Sequence, residues 1–169
     1  MKGMDQELNR LLMPLPAGTV APNFTLQNTF QTHLSLASLR GSPVILVFYP
    51  SDWEPVSREQ LTLYQEYAGE FARYGASLIG ISVDQTWSHA AFAADAQLDF
   101  PLLADFQPRG AVARMYGVYR PREGVSARAL FVLDRAGIIR FGQVYPNQLD
   151  PGVDGILTTL EALAGTNLP

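Results

Sequence analysis

The stretch FYPSDWEPVSREQLTLYQEY, from Phe48 to Tyr67, leaves a short apolar strand, turns between Pro50 and Pro55, and enters a helical pattern at Ser57. A side chain on the first turn of a helix that follows a central strand stands at the carboxyl edge of the sheet, where open α/β folds place their ligands. The unpaired N–H groups and partial positive charge of that helix end stabilise an anionic nucleophile and lower its pKa, and a cysteine would gain most. The position holds Ser57, and the chain contains no cysteine. Thiol redox chemistry, disulfides and thiolate metal sites are therefore closed to this chain on its own.

Serine in that place reads first as a helix-starting residue whose oxygen accepts a backbone N–H. A hydrolase nucleophile is the weaker reading: Gly-x-Ser-x-Gly is missing, and His33, in a hairpin, and His89, on a helix, have no sequence tie to Ser57. Asp52 and Glu54 stand two apart on a loop with no third metal ligand in view, so they read as solvated charges. Phe48, Tyr49 and Trp53 read as core or pocket wall.

The elements that must hold this turn follow from periodicity. Phe24, Leu26, Leu34 and Leu36 alternate with polar residues around Asn28-Thr29-Phe30, which predicts a short N-terminal hairpin. Val44 to Tyr49 and Ala76 to Val83 are continuous apolar runs, the pattern of strands buried on both faces. Between them Val56, Leu63, Tyr64, Tyr67, Phe71 and Tyr74 recur at helical spacing up to Gly75, a suitable C-terminal cap, predicting one helix of four or five turns. Asp84 is the expected N-cap of a helix carrying Trp87, Ala91, Phe92 and Leu98. Pro101 to Leu103 reads as a short strand, with a helix from about Arg109 to Tyr116 after it. Arg128 to Leu133 and Ile138 to Val144 read as a hairpin, and Asp150-Pro151 as the start of a final helix through Ile156, Leu157, Leu160 and Leu163. Strand–helix units followed by an antiparallel hairpin and a covering helix make an α/β fold, a thioredoxin-like mixed sheet with helices on both faces.

At 169 residues this is one domain. We expect it to span residues 18–165, with an extension over 1–17 and a tail over 166–169. A net charge of −4 with scattered Lys and Arg offers phosphates no footprint, so nucleic acid is an unfavoured partner. The longest apolar run is far shorter than a membrane span, and the N-terminus lacks the apolar core of a secretory signal, so no membrane association and a cytoplasmic location are expected.

The chain resembles the peroxiredoxins of the alkyl hydroperoxide reductase and thiol-specific antioxidant family. The family motif Pro, three residues, Thr, two residues, Cys is matched by Pro50, Ser51-Asp52-Trp53, Glu54, Pro55-Val56 and Ser57, with two of its four fixed positions changed. Arg128-Ala-Leu-Phe-Val-Leu-Asp134 matches a second motif, and Gly18-Thr-Val-Ala-Pro-Asn-Phe-Thr-Leu26 matches the family's opening segment. The resemblance implies a peroxiredoxin-type thioredoxin-like fold with no cofactor. It also implies a site in which Pro shields the nucleophile, Thr orients the peroxide, and Arg supports thiolate and peroxide oxygens by charge-assisted hydrogen bonds.

Carried over, the site residues are Pro50, Glu54, Ser57 at the peroxidatic position, and Arg128, with Tyr49 and Trp53 as pocket residues. A serine hydroxyl stays protonated at neutral pH and forms no sulfenic acid, so peroxide turnover by this route is not expected. Glu54 adds like charge beside a would-be thiolate and offers Arg128 a carboxylate partner. The implied role is a binding or interaction module, taking a small polar or hydroperoxide-like molecule and pairing as a homodimer through exposed aromatic loops. The alternative is a one-cysteine, thiol-dependent peroxidase carrying an engineered Cys-to-Ser substitution at 57.

Overall fold

The computed structural model describes residues 2–29 and 32–166. Helix α1 (Lys2–Arg10) precedes a hairpin of β1 (Thr25–Gln27) and β2 (His33–Ser35), whose turn extends beyond the described residues. A 3-10 turn at Leu36–Leu39 leads into β3 (Val44–Phe48). Then come α2 (Pro55–Glu66), α3 (Ala68–Arg73), β4 (Ser77–Ser82), α4 (Thr86–Ala96), β5 (Leu102–Ala104) and α5 (Ala111–Met115). A small ribbon of β6 (Tyr119–Arg120) and β7 (Val125–Ser126) precedes β8 (Arg128–Leu133), β9 (Ile139–Tyr145) and α6 (Asp154–Thr166).

Seven strands form one mixed sheet in the order β2-β1-β5-β4-β3-β8-β9. The β3, β4 and β5 strands are parallel, because helices link them, whereas β8 and β9 join through a tight turn and run antiparallel. With β3 central, all five of its residues are buried, and they divide by parity. Val44, Leu46 and Phe48 join the core cluster on one face, where Phe48 packs on Tyr116 at the end of α5, while Ile45 and Val47, with Tyr49 just beyond, join the cluster of Leu61, Tyr64, Phe71, Phe92, Ile156 and Leu160 from α2, α3, α4 and α6 on the other. Helices therefore cover both faces, as the sequence pattern predicts. Among the described residues no helix is long and apolar enough to cross a membrane.

Helix α1 and the β6–β7 ribbon have no counterpart in the sequence expectations, and the other departures lie at helix ends. The long helix divides at Tyr67 into α2 and α3, though Gly75 takes the left-handed conformation expected of it (φ +70°). Asp84 does not cap α4: Gln85 holds that position without a side-chain bond, and the Asp84 carboxylate turns back to the Asp52 N–H and the Ser82 hydroxyl. The buried residues of α4 are Thr86, His89 and Phe92, a stripe that leaves Trp87 73% exposed. Asp150 accepts the Gly152 N–H in a turn, and α6 starts at Asp154.

The segment after α1 is seated against the end of α5. The Leu15 N–H donates to the Tyr116 carbonyl at 3.1 Å, and Gly117, at φ +75°, leaves no room for a β-carbon beside the Met13 carbonyl. Gly117→Ala combines left-handed strain with a collision against backbone. It is expected to cost about 2 kcal/mol or more, read as a lower urea midpoint at unchanged slope.

Candidate functional site

Pro55 fixes the start of α2. A residue before proline is driven out of the helical region, and Glu54 accordingly sits at φ −74°, ψ 130°, as N-cap, with Pro55 as first helical residue. The helix thus begins two residues before Ser57, and Ser57 is not its cap. The Glu54 carboxylate fills that role, accepting the Val56 N–H at Oε1 (2.9 Å) and the Ser57 N–H at Oε2 (2.8 Å). The Ser57 hydroxyl, fully buried, donates to the same Oε2 at 2.7 Å.

Arg128 arrives from the neighbouring strand. It lies one residue past the Phe48–Ala129 pair, and parity with Leu130 and Val132 sends its side chain to the α2 face, at the level of the turn. Its guanidinium is wholly buried and fully engaged. Nη2 donates to Glu54 Oε2 (2.8 Å) and to the Asn147 carbonyl (2.9 Å), which also accepts from Nε (3.2 Å). Nη1 donates to Gln60 Oε1 (2.8 Å) and Ser57 Oγ (3.2 Å).

Partial burial by itself would raise the Glu54 pKa. The Ser57 hydroxyl, the Val56 and Ser57 N–H groups and Arg128 together outweigh it, holding the carboxyl below its ordinary value. Glu54 is thus an internal anion seated where a helix terminus and a guanidinium converge. Ser57 is no nucleophile in this arrangement, since its proton is given to a weakened base and its oxygen has no exposed surface.

A second polar cluster supports the turn from below. Asp52, only 3% exposed, is not a solvated loop charge. Its carboxylate receives the Tyr49 hydroxyl at 2.7 Å and faces His89 Nδ1 at 2.8 Å, while His89 Nε2 donates to the Leu103 carbonyl at 3.1 Å. Asp84 Oδ2 accepts the Asp52 N–H at 2.9 Å. Burial, then the charge of Asp52, pushes the Asp84 carboxyl above its usual value. Burial and Asp52 likewise raise the Tyr49 phenol well above its own.

One ligand atom each from Asp52, Asp84 and His89 lies within 4.8 Å of the others, a grouping that leaves out Glu54. The hydrogen bonds above already engage these groups, which makes the cluster a structural network. Tyr49, fully buried, belongs to it and to the core. Trp53, at φ +68°, is half exposed and packs its ring on Phe92 at 5.3 Å. Pro50 is buried at the turn.

The structure therefore brings Glu54, Ser57 and Arg128 together and adds Gln60 and Asn147, which sequence reasoning missed. Gln60 was within reach: it occupies the inward stripe of α2 with Ser57, Leu61 and Tyr64, and a polar residue there needs a buried partner. Asn147 acts through its main-chain carbonyl, for which side-chain type carries no signal.

Comparison with known proteins places the chain in a family. The profile of the AhpC/TSA family matches residues 17–141. Alkyl hydroperoxide reductase E of Mycobacterium tuberculosis is 37% identical over 131 residues, covering 77% of this chain and 86% of its own. A peroxiredoxin of Thermoplasma volcanium is 31% identical over 157 residues, 89% of this chain and 76% of its own. Among solved structures, the peroxidoxin BcpB of Mycobacterium tuberculosis superposes with a TM-score of 0.80 at 31% identity, over 88% of this chain and 98% of that one. Enterococcus faecalis AhpC gives 0.83 at 24% identity, over 91% and 95%, a likeness of fold. With its motif positions converging at one helix terminus and its relatives aligned over most of its length, the chain belongs to the AhpC/TSA family of peroxiredoxins.

Proposed function

We propose that this peroxiredoxin relative does not turn over hydroperoxides and that the Glu54–Arg128 site has passed to binding or interaction. The observation that carries the reading is the seat of Glu54 Oε2, which takes the Ser57 hydroxyl and N–H and the Arg128 guanidinium at 2.7 to 2.8 Å. In the family's motif those donors face a thiolate and its peroxide. Here they are spent on a tethered carboxylate, and the peroxidatic position has no sulfur. Because every guanidinium direction is used, a small polar ligand reaches Arg128 only by displacing Glu54, the one partner side chain with appreciable exposure, at 33%.

The test is hydroperoxide consumption by the purified chain with dithiothreitol as reductant. No turnover above the protein-free rate is expected, and catalytic loss of peroxide would overturn the reading. We further propose a cytoplasmic homodimer. Trp53 and Trp87, 51% and 73% exposed, support self-association, and a light-scattering mass that stays monomeric with rising concentration would exclude it.

A further inference from the structure

We propose that Asp5, on the N-terminal helix, is a positioning residue for Arg128, acting through the backbone of Asn147. Arg128 makes three of its hydrogen bonds to side chains and two to one main-chain oxygen, that of Asn147. That carbonyl is therefore the largest single fixture of the guanidinium, and its place depends on what anchors the segment after β9. Asp5 supplies the anchor: its Oδ2 accepts the Asn147 N–H at 2.7 Å. The other carboxylate oxygen is itself held by Arg120 Nη1, and Arg120 Nη2 is held by Glu123 at 2.8 Å.

Asp5 and Arg120 are both buried, at 7% and 4% exposure, so this pair is shielded from solvent and salt. The carboxylate thus has a fixed position from which to hold Asn147. A second bond ties the same two elements, Asn9 Nδ2 donating to the Tyr145 carbonyl at 3.0 Å, but it ends two residues short of the atom that Arg128 uses. The path from α1 to the site is contiguous: Asp5, the two main-chain groups of Asn147, the guanidinium, then Glu54, Ser57 and Gln60. Arg128 cannot make up a lost Asn147 carbonyl from its other partners, because Gln60 and Ser57 are fixed on α2 and already bonded.

The inference rests on reading Glu54 and Arg128 as the retained site, yet its test involves no peroxide and so fails or succeeds separately. Exchange of the Arg128 Nε–H with solvent is followed by NMR in the full chain at neutral pH, beside the Leu130 amide of the same strand as a monitor of global opening. Asp5→Ala is expected to accelerate Nε–H exchange about tenfold or more while the Leu130 amide keeps its rate. Asn9→Ala loosens the same helix without touching Asn147 and is expected to leave the Nε–H rate unchanged. Equal acceleration of Nε–H and Leu130 in Asp5→Ala, or the same Nε–H acceleration in Asn9→Ala, would reduce α1 to a general stabiliser and overturn the proposal. If Asp5→Ala does not fold, Asp5→Asn, which keeps the volume and loses the charge paired with Arg120, is read by the same two rates. Selective acceleration supports the inference, and unchanged rates refute it.

Discussion

Ser57→Cys combined with Glu54→Thr is expected to consume hydroperoxide in the presence of dithiothreitol about tenfold to a thousandfold faster than Ser57→Cys alone. The ratio follows from what Glu54 does to a thiol in that place. In the single variant the new sulfur inherits the position of Ser57 Oγ, 2.7 Å from Glu54 Oε2, so it faces a carboxylate that takes its proton as a hydrogen bond and repels the thiolate. A neighbouring like charge raises a thiol pKa by about 1–3, and only the thiolate attacks peroxide. The reacting sulfur takes one peroxide oxygen to become a sulfenic acid, the other oxygen leaves as alcohol or water, and dithiothreitol returns the thiol. Threonine removes the charge and releases Arg128 Nη2 from its bond to Glu54, freeing a donor for the thiolate and the peroxide. Equal rates for the two variants would show that Glu54 is not the obstacle. Fast turnover by Ser57→Cys alone would favour an active one-cysteine peroxidase whose nucleophile has been exchanged.

What the sequence revealed, and what it concealed, divides along a physical line. Val44 to Phe48 and Ser77 to Ser82 were legible because strands buried on both faces read as apolar runs, and Arg128 to Leu133 because a turn signal pairs it with the next strand as a hairpin. Helix boundaries were less so, since they depend on single residues. Ser57 looks like a cap, but Pro55 forces Glu54 to be extended and makes the glutamate the cap instead. Asp84 and Asp150 are good caps by type, but Asp84 bonds to the Asp52 N–H, which only the fold brings near, and Asp150 closes a local turn onto the Gly152 N–H. At the site, Glu54, Ser57 and Arg128 could be named from a motif, whereas the Asn147 carbonyl and Asp5 could not. Their parts depend on α1 and the end of β9 meeting across nearly the whole chain.

His89→Ala is expected to destabilise the fold by about 3–5 kcal/mol, and Asp52→Ala/His89→Ala by clearly less than the sum of the two single changes. Both side chains have no solvent-accessible surface. His89 Nδ1 faces the Asp52 carboxylate at 2.8 Å, and the ring cannot turn away because Nε2 is committed to Leu103. Truncating the imidazole leaves the carboxylate with the Tyr49 hydroxyl alone, in a site where Asp84 adds further negative charge. Removing both partners abolishes that unpaired charge and leaves a cavity cost, which is why the double cycle must be non-additive. The consequence reaches the site through the chain itself: Asp52 lies two residues before Glu54, with Trp53 held at positive φ between them, so freeing Asp52 also frees the cap of α2. Urea denaturation of the three variants measures the cycle. Additivity within about 0.5 kcal/mol would mean that Asp52 and His89 do not act as a pair, and would remove this network as the support of the turn.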